Sequence, residues 1–378
     1  MNSWLVISLL LLGFYLILLL VFWIGWILIN TRDKAFVAKD FSRFTILIPV
    51  RNEEEHILGN LNSLKDLHYP STHFEVFIIN DHSSDRTQSL IEQFQSQNPS
   101  FPLQLINLID YPGIKNKKEA ITFGVEKAKT EWIILTDGDC KRSSEWLLAL
   151  NELITEKPCK MIYAPVEFSS NRTFEHLQAL EFMGLVGIGG AAIRLKNPNM
   201  CSAANLAFKK EVFLEVGGYN DNQHIASGDD EFLLHKVFKF YPNEVFFLKD
   251  LRALVSTSPN SSVEQLASQR RRWVSKSTRY DNRYITGILA AAYLFNFSIL
   301  FNFICGIFYS NFLEIAILQL GAKTAMEALF LFDILRFFKR RFLIFFILLA
   351  EPFHIFYVLI IGIWANFASY NWKGRTHN

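Results

Sequence analysis

Ile133-Ile134-Leu135-Thr136-Asp137-Gly138-Asp139-Cys140 is an apolar run that ends in two carboxylates one glycine apart. A short apolar run bounded by turn residues reads as a buried strand, here over 132–136. Two acids at this spacing suit one hard cation, and the glycine between them lets backbone come close to a bound phosphate. Asp-Gly-Asp is also ordinary turn chemistry. Its weight therefore rests on what the chain places around it.

Upstream, 44–50 and 74–81 read as strands, the second ending in Asp81, and 103–108 as a third. Between them, Asn52-Glu53-Glu54-Glu55 starts a helix that continues through Ile57, Leu61 and Leu64, and Asp85-Arg86-Thr87 opens another carrying Leu90, Ile91 and Phe94. Residues 117–129 read as the helix before the acid-bearing strand. Such alternation predicts an α/β fold with a mostly parallel, doubly wound sheet, whose ligand crevice lies beyond the carboxyl ends of the strands. Asp81 and Asp137 then share one rim. Downstream, 161–168 reads as a strand, and 173–193 as an amphipathic Gly-rich helix, either a membrane-surface helix or a core or lid helix. Gly217-Gly218-Tyr219 marks a turn.

The 378 residues are 51% hydrophobic and include 36 Phe, which is rich for a soluble chain. From Trp4 to Ile29 there is no charged residue, enough for a membrane-crossing helix, and Met1-Asn2-Ser3 lacks the basic start of a secretory signal. A retained anchor over 1–30 is expected. Arg32, Lys34, Lys39 and Arg43 follow it, which places the next region, 31–285, in the cytoplasm. Three more apolar segments fall within 286–370, ahead of a tail at 371–378; Arg336, Lys339, Arg340 and Arg341 separate the last two. Glu314, Lys323 and Glu327 interrupt the middle segment and Glu351-Pro352 and His354 the last, so either segment is open to a re-entrant or interfacial reading. The net charge is only +2, from 38 basic and 36 acidic residues, so nothing points to nucleic acid. Cys140, Cys159, Cys201 and Cys305 form no paired motif, which argues against a zinc site or disulfide framework.

Asp137 and Asp139 are the candidate ligands of Mg²⁺ or Mn²⁺, an ion that would neutralise a departing diphosphate. Asp81 is placed to accept from a nucleobase N–H; for Asp85, ahead of Thr87, turn and helix-cap chemistry is the stronger reading. Lys117 or Lys118, at a helix start, is a candidate phosphate contact. Gly228-Asp229-Asp230-Glu231 puts more acid on a first helical turn than capping needs, and Asp230 is the candidate general base. Gln269-Arg270-Arg271-Arg272-Trp273 offers a guanidinium for a diphosphate and an indole for a sugar ring, or else a juxtamembrane basic cluster for anionic lipid; Lys276, Arg279 and Arg283 extend it.

Taken in order, Pro49-x-x-Asn52-Glu53, Asn80-Asp81 through Asp85, Lys117 with Ala120 and Gly124, Asp137-Gly138-Asp139, Asn205 ahead of Gly217-Gly218-Tyr219, Asp229-Asp230 and Gln269-x-x-Arg272-Trp273 resemble the motif series of family 2 glycosyltransferases. The resemblance covers residues 44–280, and the flanking apolar segments are similar to those of the membrane-bound branch that includes cellulose, chitin and hyaluronan synthases. It implies a GT-A fold with a mixed sheet, a nucleotide-diphosphate sugar donor such as a UDP-sugar, a divalent metal and an inverting displacement. It also implies nucleotide-side roles for Pro49, Asn52, Glu53, Asp81, Lys117 and Asp137, a catalytic pair at Asp229 and Asp230, and acceptor and diphosphate contacts from Gln269, Arg272 and Trp273. Asn80 stands where an acid is common, Ala203 where glycine is common and Asp229 where glutamate is common in the synthases, which bears on donor identity.

The expected function is transfer of a sugar to a hydroxyl of a lipid or glycan acceptor at the cytoplasmic face of the membrane, among membrane lipids. Nucleotidyl transfer to a sugar phosphate shares the sheet but would need a Gly-rich basic entry loop that is absent here. A transporter or scaffold built on Glu327, Glu351 and His354 is the non-enzymatic alternative.

Overall fold

The alternation of apolar runs with amphipathic ones is realised in the computed structural model, which describes residues 3–32, 40–114, 116–222, 228–274, 283–364, 370–372 and 375–377. In chain order, helix α1 (Ser3–Ile27) precedes β1 (Phe44–Val50), α2 (Ile57–Lys65), β2 (Phe74–Asn80), α3 (Thr87–Gln97), β3 (Leu103–Asn107), α4 (Lys117–Lys127) and β4 (Trp132–Leu135). There follow β5 (Lys141–Arg142), α5 (Trp146–Glu156), β6 (Met161–Tyr163), β7 (Val166–Phe168), α6 (Thr173–Arg194), β8 (Leu206–Lys209), α7 (Lys210–Glu215), α8 (Asp229–Phe240), β9 (Val245–Phe247) and β10 (Val255–Thr257). The chain continues through α9 (Val263–Val274), α10 (Arg283–Gly306), α11 (Ser310–Phe337) and α12 (Ile347–Trp364). Two compact units result: an α/β unit of residues 29–169 and 192–259, and a helical unit of 1–28, 170–191 and 260–378. Lys34, Lys39, Lys276 and Arg279, read above as basic flanks, lie outside the described residues.

In the α/β unit a seven-stranded sheet runs in the order β3-β2-β1-β4-β8-β6-β9. β1 is parallel to β2 and β4, and β2 is parallel to β3, so half of the sheet is the doubly wound arrangement the alternation predicts. β8 is antiparallel to both neighbours, which makes the sheet mixed. The strands read as unbroken apolar runs because helices cover them: Ile46, Ile48, Ile78 and Ile134 are fully buried. A Cβ at Gly124 on α4 would meet Leu47 and Ile79 side chains at 2.8–3.2 Å, so glycine there lets the helix lie close on the sheet. The single strand expected over 161–168 is instead two short ones, with β7 in a second sheet ordered β5-β10-β7. The helix expected from Asn52 begins only at Ile57, because Asn52 takes a positive φ of 52° and its neighbours bond elsewhere.

In the helical unit α6 is mostly buried rather than laid on a surface. A Cβ at Gly187 would strike Ile334 and one at Gly184 would crowd Leu331, so the glycines give α11 a close approach. Lys323 of α11 is fully buried and pairs with Glu327 at 2.7 Å and with Glu351 of α12, and Tyr15 of α1 donates to Glu327. Three of the ionisable groups that interrupted the apolar segments, Lys323, Glu327 and Glu351, thus pair with one another inside the bundle, whereas Glu314 is exposed. Trp4, Ser8, Ser298, Asn302 and Gln319 form a second buried network across α1, α10 and α11. Outward, Leu10, Ile17, Ile304, Ile317, Phe353 and Ile360 are exposed. Five helices among the described residues, α6 included, are long and apolar enough to cross a membrane.

Candidate active site

Parallel pairing aligns the ends of the central strands: Val50 sits opposite Asn80, and Leu47 opposite Leu135. The segments leaving β1, β2 and β4 therefore emerge on one rim, and they carry Asn52-Glu53, Asp81 and Asp137-Gly138-Asp139. Antiparallel β8 begins there too, since its first residue, Leu206, pairs with Leu135. Its lead-in turn, Ala203–Asn205, is thereby brought to the acids.

Lys117, at the start of α4, places its ammonium 3.1 Å from Asp137 and 3.4 Å from Asp229, tying the β4 acids to those of α8. Burial alone would lower its pKa, but Asp137, Asp229 and Asp230 outweigh it and hold the group well above the usual lysine range, so it is an ammonium throughout the neutral range. Lys118 points elsewhere: it is buried, with its ammonium over the rings of Phe232 and Tyr219 at 5.3 and 6.0 Å. Of the two lysines, the structure brings Lys117 to the acids.

Asp139 accepts a 2.6 Å hydrogen bond from the Thr257 hydroxyl of β10. Gly138 is required for a reason not visible in the sequence: a Cβ would come within 2.9 Å of both Val50 and Glu53, so the acid turn packs directly under the end of β1. Gly228 adopts φ 80° ahead of α8, a left-handed conformation that favours glycine, and sets Asp229 and Asp230 on the first turn. The Asp230 carboxylate accepts from the Ala203 N–H at 3.1 Å and the Glu231 N–H at 2.9 Å, which fixes its orientation.

On the β1–β2 side, Asp81 is buried, with His82 Nδ1 at 3.0 Å and Arg51 at 3.9 Å from its carboxylate. Asn52 accepts from the Ser84 N–H, the Glu53 N–H donates to the Thr87 hydroxyl, and the Glu54 N–H donates to Asp85. Asp85 also receives the Thr87 N–H and hydroxyl, so it is a turn and helix-start residue. Pro49 lies within β1 opposite Ile79.

Gln269, Arg272 and Trp273 lie on α9 in the helical unit. Gln269 accepts from Asn260 at 2.9 Å and from Arg270 at 2.6 Å, and Trp273 lies under the Arg270 guanidinium at 4.2 Å and beside Phe182. Arg270, fully buried, makes a bidentate pair with Glu181 of α6. In the sequence Arg270 is one member of the basic run with no role of its own; the signal for its packing role is the i, i+3 spacing to Trp273.

Asn60 and Arg142 carry no motif at all, and Asn205 stands in the motif series without a role of its own. Asn205, fully enclosed, donates to the carbonyls of Pro165 and Ala253 and accepts from Trp146, which anchors the turn before β8.

Asp137 and Asp139 are half-buried; Lys117 holds one oxygen of Asp137, while Asp139 accepts from the Thr257 hydroxyl at one oxygen and, at 3.8 Å, from the Cys140 thiol at the other. No three His, Cys, Asp or Glu side chains among the described residues come together as a metal-holding group. Two hard oxygen ligands on an open rim fit a divalent cation that takes its other positions from phosphate oxygens and water.

A mixed sheet of this order, with acids gathered at one rim, defines an α/β protein of the GT-A type. Residues 45–217 match the family described as glycosyl transferase family 2. That stretch, which holds most of the α/β unit, is a family 2 glycosyltransferase domain. Similar curated proteins include the probable glycosyltransferase YdaM of Bacillus subtilis, 25% identical over 55% of this chain and 50% of its own length. Another is the poly-beta-1,6-N-acetyl-D-glucosamine synthase of Staphylococcus epidermidis, 25% identical over 46% of this chain and 41% of its own. The chain spans about half the length of the curated relatives it matches. A similar solved structure, the mannosyltransferase PcManGT from Pyrobaculum calidifontis in complex with GDP-Man and Mn²⁺, aligns over 96% of this chain and 99% of that one, at 16% identity and a TM-score of 0.59. At that identity the likeness is one of fold.

Proposed function

We propose that the chain is an inverting glycosyltransferase embedded in the cytoplasmic membrane, moving a sugar from a nucleotide-diphosphate donor, a UDP-sugar, to a hydroxyl of a lipid or glycan acceptor at the cytoplasmic face. The observation that carries this reading is Lys117 between Asp137 and Asp229, which joins a pair of cation-binding acids to a separate pair able to act on an acceptor. Asp137 and Asp139 would hold Mg²⁺ or Mn²⁺, which when bound neutralises charge on the departing diphosphate. Asp81, beside Pro49, Asn52 and Glu53, receives the base end of the nucleotide, and Lys117 faces its phosphates.

Asp230 takes the proton from the acceptor hydroxyl. Two backbone N–H groups aim its carboxylate, and general-base help of this kind is worth about 10²–10⁴ in rate. Asp229, engaged with Lys117, supports the pair. Gln269, Arg272 and Trp273 serve the acceptor and diphosphate side. Residues 1–30 and 286–370 are the membrane segments around a cytoplasmic region, 31–285, with 371–378 as a tail. Exposed apolar helix faces support the membrane segments, and the basic connector of Lys339, Arg340 and Arg341 supports the orientation.

The test is donor turnover and nucleoside diphosphate release by membranes carrying wild type, Asp139→Ala or Asp230→Asn. Loss in both variants, with nucleotide binding kept in Asp230→Asn, is expected; undiminished turnover in both refutes the assignment. Pyrophosphate release from a nucleoside triphosphate and a sugar phosphate would replace it with nucleotidyl transfer.

A further inference from the structure

The backbone of the acid turn is held at both ends by buried side chains from outside it. Asn60 of α2 is fully buried and donates to the Asp137 carbonyl at 2.9 Å, an oxygen that also accepts the Cys140 N–H at 3.2 Å. Arg142 of β5 donates to the Cys140 carbonyl at 3.0 Å and reaches Asn60 with its other arm, at 3.4 Å to the side-chain oxygen and 3.5 Å to the carbonyl. Asp137-Gly138-Asp139-Cys140 is therefore closed into a ring by Asn60 and Arg142.

The Arg142 guanidinium is an unusual choice for such a tie. It is 8% exposed, its Nε has no hydrogen-bond partner, and among the described residues its hydrogen bonds run to carbonyl and amide oxygens rather than to a carboxylate. Burial pulls its pKa down to about 10, so it remains a cation at neutral pH, stacked 5.2 Å from the Trp146 ring. A buried charge without an acid partner is costly, and a neutral side chain would serve plain packing better. The same residue pairs through its backbone with Val255 of β10, two positions before Thr257, whose hydroxyl holds Asp139. One residue thus links the far end of the turn, through its side chain, to α2 and, through its backbone, to the strand that orients the second acid.

We propose that Asn60 and Arg142 are positioning residues that set the Asp137 and Asp139 carboxylates for a divalent cation. This rests on the cation site of the proposed function. Outer groups that orient metal ligands are typically worth about 10–100-fold in metal affinity, because ligands must be held to within a fraction of an ångström.

The experiment is Mn²⁺ binding to the full-length protein in detergent, read by the electron paramagnetic resonance of free Mn²⁺ with UDP and, in parallel, GDP present, alongside thermal unfolding without metal. Asn60→Asp keeps an acceptor for Arg142 and supplies it with an acid partner, but loses the donor to Asp137. It is expected to unfold at the wild-type temperature or above while binding Mn²⁺ about tenfold or more weakly. A purely structural pair would move both readouts together. Arg142→Lys keeps the charge but cannot reach both Cys140 and Asn60, and the same weakening is expected. Wild-type Mn²⁺ affinity in a folded Asn60→Asp protein overturns the proposal, and Asn60→Ser takes its place if Asn60→Asp does not fold. Asp139→Asn is the separate control: if it binds Mn²⁺ as wild type does, the cation site itself fails, whatever the Asn60 variants do.

Discussion

Replacing Lys117 with methionine removes the cation that stands between Asp137 and Asp229 while keeping most of the side-chain volume. At 3.1 and 3.4 Å, and with an effective dielectric of about 20, each pair attracts by roughly 5 kcal/mol before solvation is counted. The net is far smaller. Asp137 is 39% exposed, so solvent reduces its arm to about 0–1 kcal/mol. Asp229 is 13% exposed and Lys117 24%, so that arm lies between a surface pair and a buried one, at about 2 kcal/mol. Lys117→Met should then cost about 2–3 kcal/mol, a fall of about 5–10 °C in unfolding temperature for a domain of this size. Tryptophan fluorescence during heating of the detergent-purified protein measures it. The acids left behind repel one another, so saturating Mn²⁺ should raise the unfolding temperature of the variant more than that of wild type. A fall of less than about 1 °C, together with equal Mn²⁺ shifts, would refute the view that Lys117 balances the charge of the rim.

Further outcomes follow from three other side chains. Asp85→Ala should cost about 1–2 kcal/mol in denaturant titration, since Asp85 accepts from the Thr87 N–H and hydroxyl and the Glu54 N–H. Burial alone would raise the Asp85 pKa, but the Thr87 and backbone donors outweigh it and lower it; its contribution is present above about pH 4 and lost as pH falls through the folded value, so Asp85→Asn should flatten the acid limb. Burial pushes the Cys159 thiol up to about 12. The folded state therefore keeps a proton that the unfolded chain gives up near pH 9; stability is fully present below that and declines towards pH 12, by at most about 4 kcal/mol, and Cys159→Ala should remove the decline. Arg270→Gln should lower the unfolding temperature of the detergent-purified protein sharply, at a cost of about 3 kcal/mol, because Glu181 loses its bidentate partner. A shift no larger than that of a surface substitution would show that the pair is dispensable.

The strands that build the rim were legible because burial on both faces leaves apolar runs that no solvent-facing strand would carry, as in 44–50 and 132–135. What lay beyond reach came from partners distant in sequence. Asn52 starts no helix, because its φ of 52° is left-handed, and Ser83, Asp85 and Thr87, from the β2–α3 connection and the first residue of α3, take up the N–H groups of Asn52, Glu54 and Glu53 in that turn. The sequence suggests a phosphate approach for Gly138, whereas what excludes a side chain there is the end of β1. The direction of β8 was equally hidden, yet it decides that Ala203 meets Asp230. Arg142 gave only a faint signal, a cation two residues past the acid turn with no acid beside it to answer its charge.

Lys117 and Lys118 show why adjacent, chemically identical residues separate only in the folded chain. About 100° of helical rotation divides them, and both border the buried stripe of α4 formed by Ala120, Ile121, Gly124 and Val125. Periodicity alone therefore assigns neither to the rim. The surroundings decide: carboxylates from the ends of β4 and the start of α8 meet Lys117, while the rings of Tyr219 and Phe232 lie beneath Lys118. Tyr219 is placed there by the Gly217-Gly218 turn and Phe232 by the first turn of α8. The helix that begins with Asp229 and Asp230 is thus seated by one lysine and charge-balanced by the other. The position of the candidate base depends on the whole start of α4, not on the acids alone.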